Sequence, residues 1–257
     1  MPTAGQVANF QGLLGRIARH AGAAVAAMFG VGDVHNYPKI VDPYLAASAQ
    51  VSAAWYHSLA PEIPFRVEPG PLPPAEALLN NVDYAMTTTE PAQTLQGATD
   101  RHIFETSGLT VAHNADREGV KYARYASANA CAFCRVLATR NAVYTSEAAA
   151  TRVGSRGSHP RGSRPIGASY HDNCHCIAVP VRPGDAYRPP DYVDQWQRDY
   201  EAARRDPDVH TFDDVVNHMR RTQYARDTSP FKELTQQESP FSALSQNESP
   251  FSALSQR

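Results

Sequence analysis

Apolar residues recur through the first part of the chain at spacings of three and four. Val7, Phe10, Leu14, Ile17, Ala21, Ala24 and Met28 form one such series. It predicts a long helix with a single apolar stripe, ended by Gly30 and Gly32. Asp42-Pro43 offers an N-cap and a first-turn proline for a second helix with Leu45, Trp55 and Leu59 inward. Prolines at 61, 64, 69, 71, 73 and 74 predict an extended linker after it. A third helix is expected between Pro74 and Pro91 with Leu78, Leu79, Val82 and Met86 inward, and a fourth over about 92–116 carrying Leu95, Ile103, Leu109 and Val111.

The pattern changes at Gly119. Residues 120–126 are strand-like, 131–140 read as a turn entering a short helix, and 142–144 as a return strand. Residues 151–169, rich in Gly, Ser and Arg, read as a mobile loop. The segment 174–181 (CHCIAVPV) reads as a last strand stopped by Pro180 and Pro183. Two helices follow. Tyr192, Trp196, Tyr200 and Ala203 mark the first, which ends before Pro207; Thr211 with Asp214 forms a capping-box-like start for the second, which bears Phe212, Val215, Val216 and Met219.

The expected fold class is therefore mainly α, with a small α+β domain stapled by cysteines and a disordered C-terminal tail. The expected division is a helical domain at 1–116, the Cys-rich domain at 117–182, C-terminal helices at 183–226 and a tail at 227–257. That tail holds three ten-residue repeats, TSPFKELTQQ (228–237), ESPFSALSQN (238–247) and ESPFSALSQR (248–257). Each sets Phe and Leu three apart, which is one side of a helical turn, and one such turn cannot bury its own Phe and Leu. Three copies of an apolar hook on a polar tail read as a multivalent docking motif; a duplication that only lengthens the tail is the plainer alternative.

At 257 residues with 42% hydrophobic residues, the chain is long enough for one large domain or two small ones. No apolar run is long enough for a transmembrane helix; Ala21–Gly32 is about half a span. No membrane partner is expected. The net charge of −2 hides a segregation: 5 basic against 9 acidic groups over 1–112, 10 against 4 over 113–182, and 9 against 13 over 183–257. The basic middle is a candidate contact for nucleic acid or an acidic protein surface, although basic residues also serve simply to solvate a loop.

That basic segment contains all four cysteines. Cys131-Ala-Phe-Cys134 is followed, after 39 residues, by Cys174-His-Cys176, with His171 just upstream. A Cys-x-x-Cys turn aims two thiolates at one ion, and a second segment completes a tetrahedral zinc site. The candidate ligands are Cys131, Cys134, Cys174, Cys176 and His171, with the fourth place open between His171 and Cys176. Two disulfides, plain buried thiols, and a catalytic cysteine are the other readings of the same residues. A reducing compartment favours metal over disulfide.

Residues 123–144 (ARYASANACAFCRVLATRNAVY) with 170–176 (YHDNCHC) resemble the phage head-morphogenesis proteins related to the minor head protein F of phage Mu. Within this MuF-like group they are most similar to the branch from phages of actinobacteria, often labelled capsid maturation protease. The signature positions here are Cys131, Cys134, Leu137, Ala138, His171, Cys174 and Cys176, and the resemblance extends over about 75–182. It implies a minor capsid protein in the head interior of the virion, present in the host cytoplasm during assembly. The implied partners are portal, scaffold or major capsid protein, with phage DNA as a further candidate through 113–182. The alternatives are a prohead protease acting on scaffold or capsid protein, and a nucleic-acid-binding module. For a protease, a Cys134–His171–Asp172 arrangement is formally available, whereas the serines show no recognisable nucleophile elbow. No catalytic residue is assigned.

Overall fold

The computed structural model describes residues 2–140, 175–185 and 188–227. The expected return strand at 142–144, the loop at 151–169, His171, Cys174 and the repeats lie outside them. The first helix, α1 (Ala4–Val31), opens on a capping box between Thr3 and Gln6 and ends at Gly32 in the left-handed conformation, φ 72°. Its buried stripe is Val7, Phe10, Leu14, Ala18, Ala21, Val25 and Met28. A strict 3.5-residue series drifts off a real helix of 3.6 residues per turn, so burial moves from Ile17 and Ala24 onto Ala18 and Val25.

Helix α2 runs Tyr37–Ser58, six residues earlier than Asp42-Pro43 suggested, with Pro38 in its first turn and Pro43 inside it. Tyr37, Val41 and Leu45, four apart and fully buried, hold that added turn against the core. Pro43 and Lys39 are both exposed, so the carbonyl that loses its i+4 donor faces water and the usual cost of an internal proline falls. Trp55 and Leu59, expected in the core, are half-buried, and Tyr56 is the fully buried residue of that turn.

Helix α3 (Ala75–Met86) buries Leu78, Val82 and Ala85. Met86, expected inward, is 54% exposed because the i, i+4, i+7 face ends at Ala85. Helix α4 (Pro91–Glu118) packs against α1, α2, α3 and both strands. Leu95, Ile103 and Val111 are buried as expected and Leu109 is half-buried. Thr99, His102, Glu105, Thr106, Ser107, Thr110 and Asn114 are buried too, although no apolar periodicity flags them. The polar groups of Thr99, Ser107, Thr110 and Asn114 find nearby partners. Thr99 donates to the Leu95 carbonyl at 2.7 Å and receives the Tyr37 hydroxyl at 3.0 Å; Ser48 of α2 donates to the Ile103 carbonyl at 2.7 Å; the Ser52 and Ser107 hydroxyls meet at 2.8 Å.

The proline-rich linker is laid along α4. Asn114 clasps the Glu68 backbone, accepting from its N–H at 3.0 Å and donating to its carbonyl at 2.7 Å, and the Gly70 N–H donates to Thr110 Oγ1 at 3.1 Å. At Gly70 the two backbones touch: an added Cβ would lie 2.7 Å from the Thr110 Cα.

Strand β1 (Lys121–Tyr125) pairs antiparallel with β2 (Ile177–Val181), from Lys121 opposite Val181 to Tyr125 opposite Ile177. Pro180 sits within β2 opposite Tyr122 and does not stop it; a two-stranded ribbon has open edges where a missing N–H is tolerated. Alternate residues face opposite sides. Ile177 and Val179 join the core of α1–α4, while Ala178 packs with Tyr56, Val120 and Tyr122. Cover on both faces explains why β2 is an unbroken apolar run.

Three further helices, α5 (Ala132–Ala138), α6 (Tyr192–Arg205) and α7 (Phe212–Asp227), build a second cluster. The expected capping box of α7 forms, with Thr211 and Asp214 exchanging hydrogen bonds of 2.8 and 3.1 Å. Among the described residues no helix is long and apolar enough to cross a membrane.

Gly70→Ala forces the linker off α4. Overpacking of this kind costs typically about 1–3 kcal/mol, which a urea unfolding midpoint reads directly; an unchanged midpoint would show that the linker is not seated there.

Candidate functional site

Antiparallel pairing brings the two halves of the cysteine motif to one end of the ribbon. The chain leaves β1 at Tyr125, turns, and enters α5, whose N-cap is Cys131 in extended conformation, φ −67° and ψ 164°. Cys134 follows one turn on, in the spacing that sets two side chains on one helix face. Cys176 immediately precedes Ile177, the partner of Tyr125. Cys134 and Cys176, each 2% exposed, lie in one cluster with Ala126, Ala132, Val136 and Trp196, whereas Cys131 is exposed.

Arg135 braces the turn. Its Nε donates to the Ala130 carbonyl at 2.7 Å and its Nη2 reaches the Ala128 carbonyl at 3.4 Å, while its guanidinium lies 5.1 Å from the Trp196 ring centroid. The Tyr192 hydroxyl donates to the Ala126 carbonyl at 2.8 Å, tying α6 to the same turn. His175, between the two cysteines of the second half, packs its ring 4.9 Å from Phe104 of α4, and Gln11 of α1 donates to its carbonyl. Nearby Asp100 is raised above the usual carboxylate range by burial, an effect the His175 charge partly offsets.

Of the predicted ligands, Cys134 and Cys176 share one buried cluster at this ribbon end and Cys131 is exposed at the N-cap of α5, while His171 and Cys174 lie outside the described residues, as does Asp172. Among the described residues no three His, Cys, Asp or Glu side chains group as a metal site.

The other end of the ribbon carries a cluster that no sequence spacing announces. Arg182, just past β2, grips Glu118 at the end of α4 through two hydrogen bonds of 2.7 and 3.0 Å. The Tyr56 hydroxyl of α2 adds a third at 2.6 Å, and the Arg182 guanidinium lies 5.0 Å from the Tyr56 ring centroid. Burial alone would raise the Glu118 carboxyl, but the hydrogen bonds from Arg182 and Tyr56 and the Arg182 charge outweigh it and hold the group below the ordinary carboxylate range. Burial, reinforced by Glu118, pushes the Tyr56 hydroxyl well up. Beside the cluster opens a cleft of about 340 Å³ lined by Leu59, Ile63, Pro183 and Asp185.

A third polar group is buried between α3 and α4. Asn81 accepts from Arg101 at 2.6 Å and donates to the Ala77 carbonyl at 2.6 Å, which aims its amide nitrogen at His102 Nε2, 3.0 Å away. Nε2 is then the acceptor, and the ring proton sits on Nδ1, 3.4 Å from Glu105. Nothing in the apolar spacing marks these residues; His102 and Glu105 are buried although polar, and Asn81 and Arg101 are half-buried.

A family model described as VG15 protein matches residues 8–203. The chain belongs to the VG15 family. VG15 is a viral, phage gene-product family, so the phage affiliation implied by the head-protein resemblance stands at that level. The VG15 match runs from α1 into α6 and takes in all four cysteines, both ends of the ribbon and Trp196; α7 and the repeats lie beyond it. No curated protein matches the chain, and no solved structure does.

The Glu118 clamp makes stability depend on pH. Its carboxyl is lowered in the folded chain, so its contribution is complete above the unfolded carboxylate range and is lost as pH falls through the lowered folded value. Glu118→Gln is expected to lose about 3 kcal/mol at neutral pH, because it leaves the buried Arg182 charge without its partner. The gap from wild type should narrow in urea titrations below about pH 4. A gap that stays constant into acid would contradict the clamp.

Proposed function

We propose that this VG15 protein is a phage head-assembly protein, a portal-associated minor head protein of the MuF-like kind acting in procapsid assembly or genome delivery. The observation that carries the reading is the fate of the signature residues. Cys134, Leu137, Ala138 and Cys176 are all buried, at 2%, 0%, 2% and 2% exposure, where β1, α5, β2 and α6 converge. Residues used this way hold a fold together, which supports a structural rather than a chemical role for the signature. A cysteine nucleophile must be reached by its substrate, and the burial of Cys134 disfavours the protease alternative.

The nucleic-acid alternative loses part of its basis: among the described basic residues of 113–182, Arg124 is 1% exposed, Arg135 lies on Trp196 and Arg182 is held by Glu118, so these three charges are not offered to phosphates.

Zinc is proposed as the structural link between the two cysteine halves, held by Cys131, Cys134 and Cys174 with either His171 or Cys176 fourth. The donor chemistry suits it: a Cys-x-x-Cys turn opening a helix, with Cys176 of the second segment in the same cluster as Cys134. Bound zinc would supply the cross-link that a ribbon of this size lacks. The proposed partners are portal, scaffold or major capsid protein, and the proposed location is the interior of the phage head.

Mass spectrometry of purified procapsids and virions tests the function. The account expects the chain in both particles, in few copies, with capsid and scaffold processing unaffected by Cys134→Ser. Absence from both particles would overturn the head-protein reading, and processing lost in Cys134→Ser would restore the protease. Elemental analysis of protein purified under reducing conditions should find about one zinc per chain, lost together with cooperative unfolding in Cys131→Ser; folded, metal-free protein would exclude the zinc link.

A further inference from the structure

Where α1 and α2 pack side by side, their solvent edge leaves an apolar groove of about 500 Å³. Its floor is Phe10 stacked flat on Trp55, ring centroids 4.2 Å apart and planes 2° from parallel. Leu13, Val51 and Ala54 line its walls and Arg16 stands at its rim. Among the described residues nothing fills it. The volume lies within the range of pockets that take a few apolar side chains from a ligand. Two helices side by side are also the geometry that receives a short apolar motif read at three- or four-residue spacing.

We propose that this groove is the receptor for the chain's own Ser-Pro-Phe repeats. Three observations select that occupant. First, the repeat chemistry fits the groove: Phe231, Phe241 and Phe251 offer a ring to the Phe10–Trp55 stack, and Leu234, Leu244 and Leu254, three residues on, offer an aliphatic group to the walls. Second, charge is complementary. Each hook follows an acid, Asp227, Glu238 or Glu248, while α1 carries Arg16 and Arg19 and no acidic residue. Third, length allows it. Helix α7 ends at Asp227, and Phe241 and Phe251 follow 14 and 24 residues on, a reach of about 50 and 80 Å when extended. A compact body of this size has a radius of gyration of roughly 17 Å, so these two hooks can reach the groove of their own chain or of a neighbouring copy.

Three hooks stand against one groove per chain. One hook can shield the apolar face while two remain for other copies, and engagement of a second hook benefits from the raised local concentration that the first creates. Chains brought together at a low-copy site would then be linked to one another through identical contacts. The inference rests neither on zinc nor on the head-assembly reading.

Photo-cross-linking of the full chain tests it. In a protein carrying Phe231→Ser and Phe251→Ser, so that one hook remains, Phe241 is replaced by benzoylphenylalanine and irradiated. Cross-links are expected to residues 6–16 and 51–58, and mixing with ¹⁵N-labelled chains separates capture within a chain from capture between copies; either supports the proposal. Ala54→Glu, at an exposed position in the groove wall, should reduce that cross-link by about tenfold without shifting the unfolding midpoint. Cross-links that map elsewhere, that are absent, that form only when another phage protein is added, or that survive Ala54→Glu undiminished would each overturn the proposal.

Discussion

Closure of the β ribbon is the constraint on which the other features depend. Two strands of five residues each pair across the long stretch between Tyr125 and Ile177. Bringing together the ends of a segment of about fifty residues costs about 3.5 kcal/mol in chain entropy beyond a fixed term, and an isolated two-stranded ribbon is marginal in water. The pairing survives because it is held everywhere else. Ile177 and Val179 are sealed by α1–α4, Ala178 and Tyr122 by Tyr56 and Val120, and the two ends are fastened by different chemistry. At one end Arg182 is bolted to Glu118 and Tyr56; at the other, Cys134 and Cys176 share an apolar cluster with Trp196.

Helix α4 makes this possible because it is central without being greasy. A helix packed against three others and both strands would ordinarily be apolar all round. Here small and hydroxyl-bearing residues let the neighbours approach closely, and several buried hydroxyls are returned to a carbonyl or to another hydroxyl, within the helix at Thr99 and across the interface at Ser48 and Ser107. Such contacts add little net energy individually, but a displaced helix would strand several buried polar groups at once. The position of α4, and with it of Glu118 and the ribbon, is specified by hydrogen bonding as much as by burial.

Much of the helical layout was legible from spacing, because three- and four-residue periodicity reports burial directly. Val7, Phe10, Leu14, Leu78 and Val82 are where the pattern put them. The pattern failed where another force outranked local propensity. Pro43 suggested a helix start, but buried Tyr37 and Val41 extend α2 past it; Pro180 suggested a stop, but an open ribbon edge accepts it. The approach of Cys134 to Cys176 was legible because close pairs of one residue type, separated by a long gap, ask for a fold that joins them. The clamp was not. Glu118 and Arg182 are far apart in sequence and ordinary in type, and only the ribbon register brings them into contact. The buried His102 group was equally silent, since a polar residue in a helix normally marks the solvent face.

If the ribbon is held on both faces and at both ends, it cannot open without the helices. Native-state hydrogen exchange of the full-length protein measures this most directly. The hydrogen-bonded amides of 121–125 and 177–181 should exchange with the same opening free energy as the buried middle of α4, and should do so only through global unfolding. If the ribbon amides exchange through a much less costly opening while α4 keeps its protection, the ribbon is an appendage and the central claim is wrong.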